Sequence, residues 1–413
     1  MGVGLGDYDT GAVLQMSKSA LIQISSHSYL TQIWNKLWSE SRPNSRDTCG
    51  VDYESLNSFK TNSVSNIQSI SKELRNGTYR LSPLRPFFLI KPNGKYRIIC
   101  VPTTRDRIVQ GALLLFLSNK YTDRFSNEIS YGFLRNRGVK KALLSAQNKR
   151  KTKQWVFKTD IKAFFDNINR ETLKARIKRT IKERSLHDLL SQAIDCEIQE
   201  SRNTVKKFRS FDIKHGLGVR QGMPLSPFFS NVILEEFDKA VAKTGYSAIR
   251  YADDLIFFAE NKAICHEIER FCIRQLKKEE LEIPLTNEPN SKSIIYSPNE
   301  HAEFLGVSIC KDDKGYLVKL LPDQLKSIKK TFTDMGNIKE LNSRRIQLGT
   351  LGSYLRARKA GFIQAYAICS NIDSLENSLN DIEQIVLRRV YSNDLKINLS
   401  ELTKEAYTFL GLR

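Results

Sequence analysis

Apolar residues recur at helical spacing through the first 80 positions. Leu30, Ile33, Trp34 and Leu37 mark a helix over 28–38, and a second spans 64–74 before the stop signal Asn76-Gly77. Between them, 42–50 turns polar and reads as a loop. From Leu84 the period shortens. The runs 87–91 and 96–102 flank Pro92-Asn93-Gly94-Lys95, which predicts a β-hairpin whose basic tip gathers Lys91, Lys95 and Arg97. That tip could grip a triphosphate or be a solvated basic turn, and both readings stand at this point. Helices are predicted over 105–121 and 139–151. The run 155–160 then reads as a strand delivering Asp160, ahead of the pair Phe164-Phe165 and a helix starting near Asn169. A Gly-rich stretch, 216–222, leads into a helix starting near Ser226, with Ser226 as its N-cap and Pro227 in the first turn. Residues 250–259 read as two short strands joined by a tight turn at Asp253-Asp254. An amphipathic helix over 262–278 and short strands over 281–285, 291–296 and 302–309 complete this part, and 322–413 alternates helical patterns with basic faces.

Composition then narrows the class. A chain of 413 residues with 40% hydrophobic and 27% charged content can bury one large core or several modest ones, as a soluble protein does. No apolar run reaches the length of a membrane span. The opening residues carry no basic segment followed by an apolar one, so the expectation is a cytoplasmic protein rather than a secreted one. Seven cysteines without a C-x-x-C pair agree with reduced thiols, with Cys265 and Cys272 buried on one helix. The charge changes the picture most. The formal net charge is +20, and residues 135–184 hold 17 Lys/Arg against 4 Asp/Glu. A surface so one-sided repels itself unless a polyanion screens it, and nucleic acid is the expected partner.

The acids within this basic chain are the candidate chemistry. Neighbouring residues on a strand face opposite ways, so Asp253 and Asp254 approach one point only through a turn. Such a turn is either half of a metal site or a solvated Asp-Asp turn. Asp160 supplies a third carboxylate from a second strand end. Oxygen-only ligands suit Mg²⁺, and three carboxylates are what two Mg²⁺ ions need when substrate phosphates and waters complete their shells.

With D-I-K-A-F-F-D-N-I around Asp160, R-Q-G-M-P-L-S-P around Gln221-Gly222 and Y-A-D-D at Asp253-Asp254, the chain resembles the reverse transcriptase family over about 84–310. It is most similar to the bacterial branch holding group II intron, retron and phage-defence enzymes. The resemblance implies an α+β right-hand polymerase. Its parts would be an N-terminal helical extension (1–80), fingers (81–155), a palm built on an antiparallel sheet with packed helices (156–321, with a finger insertion at about 170–215) and a helical thumb (322–413). It implies that Asp160, Asp253, Asp254 and the backbone carbonyl of Ile161 hold two Mg²⁺ ions. It also implies that Lys91 and Arg97 meet nucleotide phosphates, that Gln221 and Gly222 contact the incoming nucleotide, and that Phe165 blocks a 2′-hydroxyl. Lys292 would protonate the leaving pyrophosphate, and Phe304-Leu305-Gly306 would form the primer grip. The expected partners are an RNA template, a DNA product and deoxynucleoside triphosphates, with no membrane.

Departures from the family narrow the branch. No His/Cys cluster follows the thumb, no second acidic constellation marks an RNase H domain, and the Asn-Ala-x-x-His and Val-Thr-Gly motifs of retron enzymes are missing. The chain thus resembles a defence-associated reverse transcriptase, of the type-two kind that copies a companion structured non-coding RNA. Two further readings stay open: an intron-type maturase that acts mainly by binding RNA, and a non-catalytic RNA-binding scaffold.

Overall fold

The structure is a computed structural model that describes residues 19–90, 96–200, 216–313, 315–344 and 346–412. Its centre is a four-stranded antiparallel sheet in the order β4-β5-β3-β6, formed by β3 (Trp155–Asp160), β4 (Ser247–Tyr251), β5 (Asp254–Ala259) and β6 (Ile294–Tyr296). Alternation along these strands builds two cores. Phe157, Ala248, Leu255, Phe257 and Ala259 enter one, while Val156, Ile249, Ile256 and Phe258 enter the other. A sheet apolar on both faces must be covered on both, and this one is.

The first core takes helices from two stretches of the chain, 20–125 and 164–277. These are α1 (Ala20–Ile24), α2 (His27–Glu40), α3 (Leu56–Thr61), α4 (Ser63–Arg75) and the long α5 (Thr104–Phe125). The short α7 (Phe164–Asn167), then α8 (Arg170–Thr180), α9 (His187–Asp195), α10 (Ser226–Thr244) and α11 (Lys262–Lys277) join them. The hairpin of β1 (Arg85–Ile90) and β2 (Tyr96–Val101) stands beside this core. Its tip, with Lys91 and Lys95, lies outside the described residues.

The second core joins α6 (Val139–Thr152) to a three-stranded sheet of β7 (Ala302–Phe304), β8 (Val307–Asp312) and β9 (Gly315–Lys319). It continues into α12 (Pro322–Thr333), α13 (Ile338–Ser343), α14 (Leu348–Ala365), α15 (Ile372–Arg389) and α16 (Lys404–Phe409). This mixed architecture, with a palm-like antiparallel sheet, is the α+β right-hand type expected from the sequence. Among the described residues, no helix is long and apolar enough to cross a membrane. All seven cysteines are free, and Cys265 and Cys272 are both buried on α11.

Three local expectations are corrected. Residues 281–285 bury Leu281, Ile283 and Pro284 but form no strand. Pro284 has no N–H to give a ladder, and this segment's link to the β3 exit is one bond, from the Lys162 N–H to the Glu282 carbonyl (2.8 Å). The expected strand over 302–309 is a hairpin, because Leu305 (φ +50°) and Gly306 (φ +79°) turn the chain between β7 and β8. Ser226 does not cap α10 either. Leu225 holds the N-cap position, and the Ser226 hydroxyl donates to the Arg220 carbonyl (2.8 Å), bracing the loop before the helix.

Candidate active site

Asp160 closes β3 directly opposite Asp254, the first residue of β5. Asp253 occupies the two-residue turn between β4 and β5, where Ala252 takes a left-handed conformation (φ +57°). The Ile161 N–H donates to the Asp253 carbonyl (3.3 Å), tying the turn to the exit of β3. Register thus brings Asp160 to the same end of the sheet as two acids that follow it 93 and 94 residues later.

Their electrostatics are those of an anionic cluster. Burial raises the Asp253 carboxyl above its ordinary range and the charge of Asp160 adds to that, while Lys292 and Arg97 oppose it. Asp254 is likewise raised, by burial first and then by the charge of Asp253. A cation relieves such repulsion. The Lys292 ammonium does so for Asp160 through a direct ion pair, although its side chain is otherwise 74% exposed. Ser293 holds it there, with its hydroxyl bonded to Thr159 (2.6 Å) and to the Pro284 carbonyl.

Among the described residues, no three His, Cys, Asp or Glu side chains close into a cage for an ion. What Asp160, Asp253 and Asp254 offer at this end of the sheet is oxygen donors alone. That donor chemistry fits a hard divalent ion completed by phosphate and water better than a structural zinc.

A buried network fixes the turn. Arg250 is 0% exposed, and its fork meets both Asp238 oxygens (2.7 and 2.5 Å), with further bonds to Ser130 (2.8 Å), Asn231 (3.2 Å) and the Ala252 carbonyl (3.2 Å). The segment 129–131 runs beside β4 through bonds to the Arg250 backbone (2.7 and 2.8 Å). A Cβ on Gly132 would stand 2.5 Å from the Ala252 nitrogen, so only glycine lets this segment press on the turn. Sequence reasoning missed this group, although one signal was visible: Arg250 is a charge set within an apolar strand.

The loop 216–222 is fixed just as firmly. Burial pushes the Glu197 carboxyl up, but bonds from Arg170 (2.6 Å) and Arg220 (2.7 Å) outweigh that and set it at about 2. Arg220 directly precedes Gln221, whose carbonyl accepts from the Cys100 N–H on β2 (2.7 Å). Gly222 (φ +109°) lies so close to the Cys100 backbone that any side chain would collide with it. Phe165 sits half-buried on α7 against Phe164 (ring centroids 5.0 Å), and its carbonyl accepts from the Val219 N–H (2.7 Å). Phe165 and Gln221-Gly222 therefore belong to one braced unit, and Arg97 stands exposed on β2 within electrostatic reach of Asp253.

The residues expected to grip a primer divide. Phe304 is wholly buried in the second core, so it anchors the hairpin, whereas Leu305 and Gly306 form its turn. Lys91 lies outside the described residues.

Residues 89–309, more than half of the chain, match the family described as reverse transcriptase (RNA-dependent DNA polymerase). The chain belongs to that family. Among its relatives, Protein YkfC of Escherichia coli K12 is 31% identical over 197 residues, covering 46% of this chain and 49% of YkfC. The group II intron-encoded protein LtrA of Lactococcus lactis subsp. cremoris is 30% identical over 214 residues, covering 52% of this chain and 34% of LtrA. The retron Ec83 reverse transcriptase of Escherichia coli is 24% identical over 233 residues, covering 53% of this chain and 66% of the retron protein. The match thus spans about half of YkfC and a third of LtrA.

Proposed function

We propose that this protein is an RNA-directed DNA polymerase that adds deoxynucleotides to a primer 3′-hydroxyl. The observation that carries this reading is the register that sets Asp160 opposite Asp254 with Asp253 in the adjoining turn. These three carboxylates, with the Ile161 carbonyl, would hold two Mg²⁺ ions. Bound there, the ions would supply a lowered pKa for the attacking hydroxyl and charge stabilisation for the leaving oxygens. The chain's own groups do the rest. Arg97 and Lys91 bind the triphosphate, Gln221 and Gly222 seat the nucleotide, and the Phe165 ring fills the space a 2′-hydroxyl needs. Lys292 delivers a proton to the departing pyrophosphate, and the Leu305-Gly306 turn orients the primer end. The expected division into extension (1–80), fingers (81–155), palm (156–321) and thumb (322–413) belongs to this reading.

The template in this reading is a companion structured non-coding RNA, copied in the bacterial cytoplasm during antiphage defence. The net charge of +20 supports a polyanionic partner, and the template class rests on the resemblance alone. The match to LtrA favours a second reading, an intron-type protein whose main work is RNA binding. Extension of an annealed DNA primer on RNA with Mg²⁺ and deoxynucleotides tests the first. Sequencing the nucleic acid that co-purifies separates the two, because intron RNA without complementary DNA would support the second.

A further inference from the structure

Two sheets carry the two halves of the proposed reaction. The four-stranded sheet bears the acids, and the three-stranded sheet bears the Leu305-Gly306 turn. The short connection 297–301 between β6 and β7 joins them. At that joint lies Arg150, in the last turn of α6, with 0% exposure. Its guanidinium meets four backbone carbonyls. Nη1 donates to Ile309 on β8 (2.5 Å), Nη2 to Ser297 (2.9 Å) and Glu300 (2.7 Å), and Nε to Gln154 just before β3 (3.4 Å).

The Tyr316 ring of β9 lies against the guanidinium (4.7 Å to the centroid), and its hydroxyl donates to the Pro298 carbonyl (2.8 Å). Gln147, one turn earlier on α6, donates to the Tyr316 carbonyl (2.7 Å). A buried cation is costly unless its donors are matched, and an apolar side chain would pack here with less penalty. What arginine alone supplies is a rigid fork that holds several segments in one geometry.

We propose that Arg150 is a positioning residue that fixes the three-stranded sheet relative to the aspartate-bearing sheet, and so sets where the primer end lies relative to Asp160, Asp253 and Asp254. The claim about the primer rests on the polymerase reading. The claim about the joint does not. A displacement of about 1 Å between reacting groups costs about 100-fold in rate.

Arg150→Lys keeps the charge and removes the fork, while Tyr316→Phe removes one bond at the same joint. For folded Arg150→Lys, kcat for primer extension is expected to fall about 100-fold while KM for deoxynucleotide stays within about twofold. Tyr316→Phe is expected to move kcat the same way by less, and it carries the comparison if Arg150→Lys does not fold. Spin labels at Lys262→Cys beside β5 and Lys311→Cys on β8, in a Cys49→Ser background whose other cysteines are buried, read the joint directly. Their separation should shift or broaden when either joint substitution is added.

A lowered melting temperature with kcat per folded molecule unchanged would make Arg150 merely structural and overturn the proposal, as would an unmoved label distance. Unsubstituted protein that extends no primer would sink the polymerase reading instead, and the label distances would then decide the joint.

Discussion

The buried pair Arg250–Asp238 can be tested with one atom's worth of change. Asp238→Asn replaces an acceptor oxygen by an NH₂ group that faces two donors, the Arg250 fork and the Asn127 amide (3.2 Å). Arg250 has no solvent to retreat to, so the substitution strands a charge inside the first core. Breaking one side of a buried pair costs about 3–5 kcal/mol. Domains are stable by only about 5–15 kcal/mol, so the urea midpoint should fall steeply. Because Arg250 also holds the Ala252 carbonyl, the Asp253 turn should loosen and primer extension should drop with it. The double replacement Arg250→Met with Asp238→Leu removes both charges and restores apolar packing. It should recover stability to within about 1 kcal/mol of the original, yet leave extension impaired because nothing then anchors the turn. A loss below about 1 kcal/mol in Asp238→Asn, or full activity in the double variant, would refute this account of the network.

Other outcomes follow from the same geometry. Asp253→Asn should retain the fold and RNA binding while primer extension falls by about 1000-fold or more, read against circular dichroism and RNA retention. Phe165→Ala should raise ribonucleotide incorporation relative to deoxynucleotide by about tenfold or more, and unchanged sugar selectivity would remove Phe165 from that role. Gly222→Ala forces a Cβ onto the Cys100 backbone at φ +109°, a strain of about 1–3 kcal/mol, so KM for deoxynucleotide should rise with kcat less affected. Glu197 titrates at about 2, below an unfolded carboxyl, so its contribution is present above the ordinary carboxylate range and lost as pH falls toward 2. Glu197→Gln should therefore lower stability by about 2–3 kcal/mol at pH 7, with the gap to the unsubstituted protein closing between about pH 4.5 and 2. A gap that stays constant across that range would show that the ion pair is not its source.

The sequence by itself determined the elements whose cause is local. The apolar period of α2 and α4, the β1–β2 hairpin, the run ending at Asp160 and the 250–259 hairpin are set by neighbours within a few residues, and they appear where expected, except that the last turn falls at Ala252-Asp253 and Asp254 opens β5. The motifs around Asp160, Gln221 and Asp253 also indicated the family before any geometry was known. Tertiary structure decided what depends on distant partners. Arg150 finds its carbonyls up to 159 positions away, Arg250 finds Ser130 120 positions away, and Lys292 finds Asp160 132 positions away. No local propensity encodes such meetings. Residues 281–285 show the limit from the other side. Their apolar run was legible, but whether a neighbour could complete a ladder was not, and Pro284 left that ladder without a donor. The identity of the reacting groups is thus written along the chain, and their convergence is written in strand register and buried charge.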